Sequence, residues 1–154
     1  MYLPILLGIG FTLFGLYMLR HATRSYGRAV QSLTWPSVDG KLVRVDLWGN
    51  RNIDGEAVAS KHLSIEYEYH VDEVLYEGEV VAFYTLMYPE TLVYANKHPV
   101  NSNVMVYYDP ENPINSVLIP GLRKDMPYSD LIIAGLGIIT GVGVVIGGWL
   151  GSFE

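Results

Sequence analysis

Cysteine is missing from all 154 residues. That excludes disulfide staples and thiolate chemistry, whether nucleophilic or metal-binding. Charge of either sign is missing from Tyr2–Leu19 and again from Leu131–Leu150. Basic residues are confined to the segment between those two stretches, since all ten Lys and Arg lie between Arg20 and Lys124. The net charge of -6 argues against a nonspecific grip on nucleic acid, whose phosphates need a basic surface. There is no Gly-rich phosphate loop, Gly-x-Ser-x-Gly elbow or His-Glu-x-x-His. His21, His62, His70 and His98 show no paired metal spacing. His62 and His70, eight apart on one strand, would stand ~26 Å apart, too far to share an ion. No metal or cofactor is expected.

What is present begins with the two uncharged stretches. Each is about long enough to cross a ~30 Å hydrocarbon core as a helix. A cleaved signal peptide is the other reading of the first. No basic residue precedes it, however, and "RHATRSYGR" after it is a poor small-residue cleavage site. Transmembrane helices are therefore expected over 2–19 and 131–150. Arg20, Arg24 and Arg28 follow the first, and Arg123 and Lys124 precede the second. Orientation follows the Lys/Arg bias near helix ends, which predicts a multi-pass protein of the cell inner membrane with a cytoplasmic central domain. Long loops can translocate despite charge, which leaves an exported domain as the alternative. Gly8, Thr12 and Gly15 share a face of the first helix, and the second steps by four through Gly143, Gly147 and Gly151 and likewise through Gly137 and Gly141. Small residues let helices approach closely, so Gly8, Thr12, Gly15, Gly143 and Gly147 are the expected packing face, within one chain or between two in an oligomer. Neither span carries an ionisable residue, which speaks against an ion pathway.

Between the spans, residues 20–34 hold Tyr26, Val30 and Leu33 at helical spacings. They read as a basic juxtamembrane helix continuing from the first span, ended by Trp35-Pro36 because the residue before proline is pushed out of the helical region. The domain over 35–121 reads as mostly β. "SVDGKLVRVDLW" is a first strand and "GNRNIDGEAVAS" a polar loop. Leu63, Ile65, Tyr67, Tyr69 and Val71 alternate with Ser64, Glu66, Glu68 and His70, as a strand with one buried face does. Leu75–Tyr84 is a third strand and "PETLVYANKH" a short helix. "NVMVYYD" and "SVLIPG" are two more strands, with "PENPINS" a turn opened by Asp109. The predicted fold is two transmembrane α-helices flanking a small all-β domain, β-barrel-like, with three strands, a helix and two strands. That is also the element order of the OB barrel.

The stretch "SIEYEYHVDEVLYEGEV", Ser64–Val80, bears most on function. Counted outward from a two-residue tip at Asp72-Glu73, Tyr69 faces Tyr76, Tyr67 faces Gly78 and Ile65 faces Val80. The other face then sets Glu68 opposite Glu77 and Glu66 opposite Glu79. Like charges across a strand pair cost a few tenths to ~1 kcal/mol. Arg44 and Lys41 on the first strand, a hard cation or a basic partner protein would offset this. A solvated face is the plain reading, because antiparallel sheets ordinarily bury one side only. A catalytic carboxylate pair needs burial or a tuned neighbour, and this stripe reads as wet.

"WPSVDGKLVRV", "YEYHVDEVLYEGE" and "HPVNSNVMVYYDPENPINSVLIPG", set between two apolar helices, resemble a bacterial membrane family. It is the family catalogued as domain of unknown function 3592. The resemblance spans nearly the whole chain, and "VYYDPENP" at 106–113 is its most specific piece. Asn101 and Glu73 stand where the family pattern carries glycine. Asn tolerates positive φ and Glu does so poorly, which points to a hairpin turn longer than two residues. The resemblance implies a membrane address and no reaction, cofactor or catalytic residue. The expected role is non-enzymatic: a membrane-tethered module contacting the lipid bilayer and a protein partner, with Glu66, Glu68, Glu77 and Glu79 as its interaction face. The alternative is a cation or ligand sensor using that same acidic face.

Overall fold

The computed structural model describes residues 2–125 and 128–150. Two compact units divide the chain. The long terminal helices form one, and Arg28–Leu122 forms the other.

The first long helix, α1 (Tyr2–Ser32), runs without a break through the basic stretch, so that stretch continues the apolar helix as one element. Its counterpart, numbered last in the chain, is α3 (Ser129–Trp149). Both are long and apolar enough to cross a membrane. Leu3, Phe11 and Phe14 on α1, and Ile133 and Ile139 on α3, stand exposed, an arrangement that calls for an apolar solvent. The close face follows the expectation on α1 and departs from it on α3. A Cβ at Gly8 would lie 2.8 Å from Gly141 O, and one at Gly15 would lie 2.8 Å from Ile138 N. A Cβ at Gly141 would lie 2.6 Å from Thr12 N, while one at Gly143 would meet nothing within 4 Å. Gly143 is therefore off the seam, and Gly137 and Gly141 occupy it. The reason is helical phase: two residues are ~200° of rotation, which carries Gly143 to the other side. Gly147 is half-buried.

The second unit is a small antiparallel β half-barrel. Its strands are β1 (Ser37–Ile53), β2 (Glu56–Val71), β3 (Val74–Gly78), β4 (Asn103–Tyr108) and β5 (Ser116–Val117), with helix α2 (Glu90–Lys97) between β3 and β4. The sheet order is β3-β2-β1-β4-β5. One core fills the concave side: Leu42, Ile65, Tyr67, Tyr69, Val71, Val81, Val104, Val106 and Leu118. A bulge at Val43, between the pairs Leu42↔Tyr67 and Arg44↔Glu66, shifts the alternation. It lets Leu42 and Val45 both face inward although they are three residues apart.

Three expectations are corrected. "GNRNIDGEAVAS" is no loop. β1 and β2 continue through it as a ribbon to a two-residue turn, pairing Ile53 with Glu56. Asp54 at φ 53° and Gly55 at φ 90° make that turn, and both need the left-handed region that Asp and Gly enter most readily. The third strand does not reach Tyr84. It ends at Gly78 because the carbonyls beyond it turn to other partners. Val80 O accepts from Leu118 N–H at 3.2 Å and Val81 O from Ile119 N–H at 2.7 Å, leading to a parallel bridge between Ala82 and Ile119. Ile65 therefore never pairs with Val80. The hairpin between β2 and β3 turns in two residues after all, with Asp72 at φ 49° and Glu73 at φ 67°.

The last turn of α1 is tied to the end of the half-barrel by buried Ser32. Its hydroxyl donates to Ala29 O at 2.7 Å and accepts from Gly121 N–H at 2.9 Å.

Candidate functional site

Past the two edge strands of the half-barrel, β3 and β5, backbone bonds join Val80–Ala82 to Leu118–Ile119. Alongside 75–79 and 109–116 lies a groove of about 770 Å³, narrowed where Gly78 approaches Ser116. Leu75–Val80 form one wall, and Asp109 with Ile114–Ser116 form the other. Arg28, Gln31 and Trp35, from the end of α1 and beyond, close one side together with Phe83. Trp35 and Phe83 pack edge to face with ring centroids 5.8 Å apart.

The groove's wall is held by tyrosines of β2. Tyr67 donates to Val80 O at 3.0 Å and shares a 3.0 Å hydrogen bond with Ser116 Oγ. Tyr69 donates to Pro113 O at 2.5 Å, and its ring stacks on Tyr76 with centroids 5.8 Å apart. Burial pushes the Tyr67 hydroxyl well above its usual range, against the opposing pull of its Ser116 bond. It is a donor at any physiological pH. Gly78 is required here, because a Cβ would sit 2.6 Å from Ser116 Oγ and closer still to the Tyr67 ring. The facing turn is built by Asp109, whose Oδ1 accepts from Glu111 N–H at 3.0 Å and whose carbonyl accepts from Asn112 N–H at 3.1 Å.

On the convex side, the ladder pairs Glu68 with Glu77, Tyr69 with Tyr76 and Tyr67 with Gly78. Glu66, Glu68, Glu77 and Glu79 gather around a shallow cleft of about 170 Å³ with Val43. Glu66 is matched by β1: Arg44 reaches its Oε1 at 2.6 Å and Asp46 at 3.3 Å. Lys41 lies opposite Glu68 in the β1–β2 register. Among the described residues no group of three or more His, Asp or Glu is disposed to hold a metal ion. His62 stacks on Trp48 at 4.2 Å between ring centroids, and His70 is exposed.

The groove was not anticipated from sequence. Its walls come from residues far apart in the chain, and their only local trace is Gly78 within an otherwise side-chain-rich strand.

A family model described as Domain of unknown function (DUF3592) matches residues 38–123. No curated protein and no solved structure matches the chain.

Proposed function

The chain belongs to the DUF3592 family, and on that premise we propose that it acts without catalysis, as a membrane-tethered module whose half-barrel docks a protein partner. The observation that carries this reading is the open groove between β3 and β5, bordered by a strand that has a neighbour on one side only. Sheet edges left open invite pairing with another chain.

The groove's chemistry supports binding over turnover. Its hydroxyl nucleophile, Ser116, is hydrogen-bonded to Tyr67, and burial keeps that phenol protonated. A serine becomes a nucleophile when a base takes its proton, and Tyr67 cannot serve as one. The two candidate spans supply the tether. The ten Lys and Arg between positions 20 and 124 favour a cytoplasmic half-barrel, and a reporter fused after Glu154 should then behave as external. Digestion of the 35–120 region by protease added outside intact cells would reverse the orientation.

The docking reading is tested in the native membrane with a photo-crosslinking residue at Ile114, on the groove wall, and a control at Asp54, on the ribbon tip. A discrete adduct formed from Ile114 and not from Asp54 is expected. Equal labelling from both positions would remove the groove as the docking surface.

A further inference from the structure

We propose that the groove takes an extended segment of a partner protein as an added strand along β3, and that this segment carries Lys or Arg at alternate positions. The inference rests on the docking reading above and names the partner's chemistry.

The backbone comes first. β3 is the end strand of the sheet. The pair flanking a two-residue hairpin turn is hydrogen-bonded, and bonded pairs then alternate along the ladder. Val71↔Val74, Tyr69↔Tyr76 and Tyr67↔Gly78 are the bonded pairs. Leu75 and Glu77 consequently turn their N–H and C=O groups away from β2, toward the groove. Donors and acceptors spaced two residues apart are what an added strand pairs with.

The side chains then select the partner. Residues along a strand alternate between faces. The added residue lying beside Glu77 would project on the convex face, with Glu68 as the next neighbour across β3. Among the described residues, three of the four carboxylates there, Glu68, Glu77 and Glu79, make no salt bridge, while Glu66 is occupied by Arg44. Glu68 and Glu77 are paired directly across the ladder, a like-charge arrangement that a cation beside Glu77 relieves. The wider field has the same sign: residues 28–122 hold six Lys/Arg against thirteen Asp/Glu, a net charge of -7. Intervening residues of the added strand would point the other way, toward Tyr76, Trp35, Phe83 and Ile114. Apolar side chains suit those positions. The recognised pattern is basic–apolar–basic in extended conformation.

The test uses the full chain in detergent micelles and short capped, dye-labelled peptides read by fluorescence polarisation. The probes are alternating Lys-Val, alternating Glu-Val, a blocked peptide with all lysines together, and two Lys-Val peptides N-methylated on one or the other set of alternate amides. Alternating Lys-Val should bind. The Glu-Val, blocked and one N-methylated peptide should bind about tenfold or more weakly, since each removes either the charge match or the strand pairing. Doubly substituted Glu77→Lys/Glu79→Lys should lose a comparable factor, with circular dichroism confirming the fold. Equal binding by both N-methylated peptides would mean charge attraction alone and would overturn the added strand. Equal binding by the charge-reversed variant would overturn the basic pattern. Self-association of the chain that alternating Lys-Val fails to displace would make a second copy the occupant. If no peptide binds, the added-strand inference falls, while the Ile114 crosslink still reports separately on docking.

Discussion

The two ends of β2 are built from one continuous strand and obey different rules. At the C-terminal end, Ile65, Tyr67 and Tyr69 are buried on one face, and the hairpin closes through Asp72-Glu73. At the N-terminal end the strand leaves the core as a two-stranded ribbon that closes through Asp54-Gly55. Both tips are two-residue turns with positive φ at both positions. The N-terminal tip has the better turn residues. The C-terminal tip has Glu at φ 67°, a conformation a side chain with a Cβ adopts at a cost. What holds the C-terminal hairpin is the buried face behind it, and what holds the ribbon is its turn and ladder. Tertiary burial can impose a poor turn, and a good turn can carry a strand pair beyond the core.

The largest test of this contrast removes Tyr67 of β2 from the buried end and Trp48 of β1, paired with His62 of β2, from the other. Tyr67 is 1% exposed and Trp48 58%. Tyr67→Ala should cost about 3–5 kcal/mol, as truncation of a fully buried aromatic does. Trp48→Ala should cost under about 1 kcal/mol. Denaturant unfolding of both in one detergent measures the difference, and similar costs would erase the distinction between the two ends. The core also sets an alkaline limit. Burial raises Tyr67, and pushes Tyr94 up to about 12. In each case the folded-state value lies above the unfolded one. Their contribution is intact below pH 10 and is lost as pH rises from there through the folded-state values. Melting temperature should fall steeply above pH 10, and Tyr94→Phe should make the fall shallower.

Glycines give the next effect. Gly78→Ala drives a Cβ against Ser116 and the Tyr67 ring, and should destabilise by about 1–3 kcal/mol. Gly55→Ala meets no atom within 4 Å but sits at φ 90°. Its strain should appear as faster amide exchange in the ribbon with the global melt unchanged. A global loss from Gly55→Ala would show that the ribbon and core unfold as one.

Smaller still is the turn itself. Glu73→Gly removes the strained Cβ and should gain up to about 1 kcal/mol, less the entropy that glycine adds to the unfolded chain. The smallest effect is Glu68→Gln, which relieves repulsion from Glu77 and should shift stability by a few tenths of a kcal/mol. Calcium should leave the melting temperature of both forms unchanged. A calcium-dependent rise in the parent that Glu68→Gln abolishes would replace strand docking with the cation-sensing reading of the acidic face.

Legibility in the sequence followed burial. The pairings Tyr69↔Tyr76, Glu68↔Glu77 and Tyr67↔Gly78 were readable because a buried face forces strict alternation of apolar and polar residues. The Asp54-Gly55 hairpin escaped the alternation reading because the flanking sequence carries no such pattern. Its turn residues were the available signal. The end of β3 was not readable either. Val80 through Tyr84 look like strand by composition, yet Val80 O and Val81 O bond β5 and its continuation, a choice made by residues more than thirty positions away.

The sequence by itself determined the two apolar helices, the order of strands and helix, and the wet and dry faces of the main hairpin. These depend on local composition and on periods of 3.6 and 2, which are properties of short stretches. The tertiary structure alone decided that the sheet curls short of closure, that Gly137 and Gly141 rather than Gly143 line the helix seam, and that a groove opens between β3 and β5. The physical reason is the same in each case. Curvature, helix phase and edge separation are settled by contacts between segments distant in the chain, where Tyr67, Ser116 and Val80 meet and where Thr12 meets Gly141.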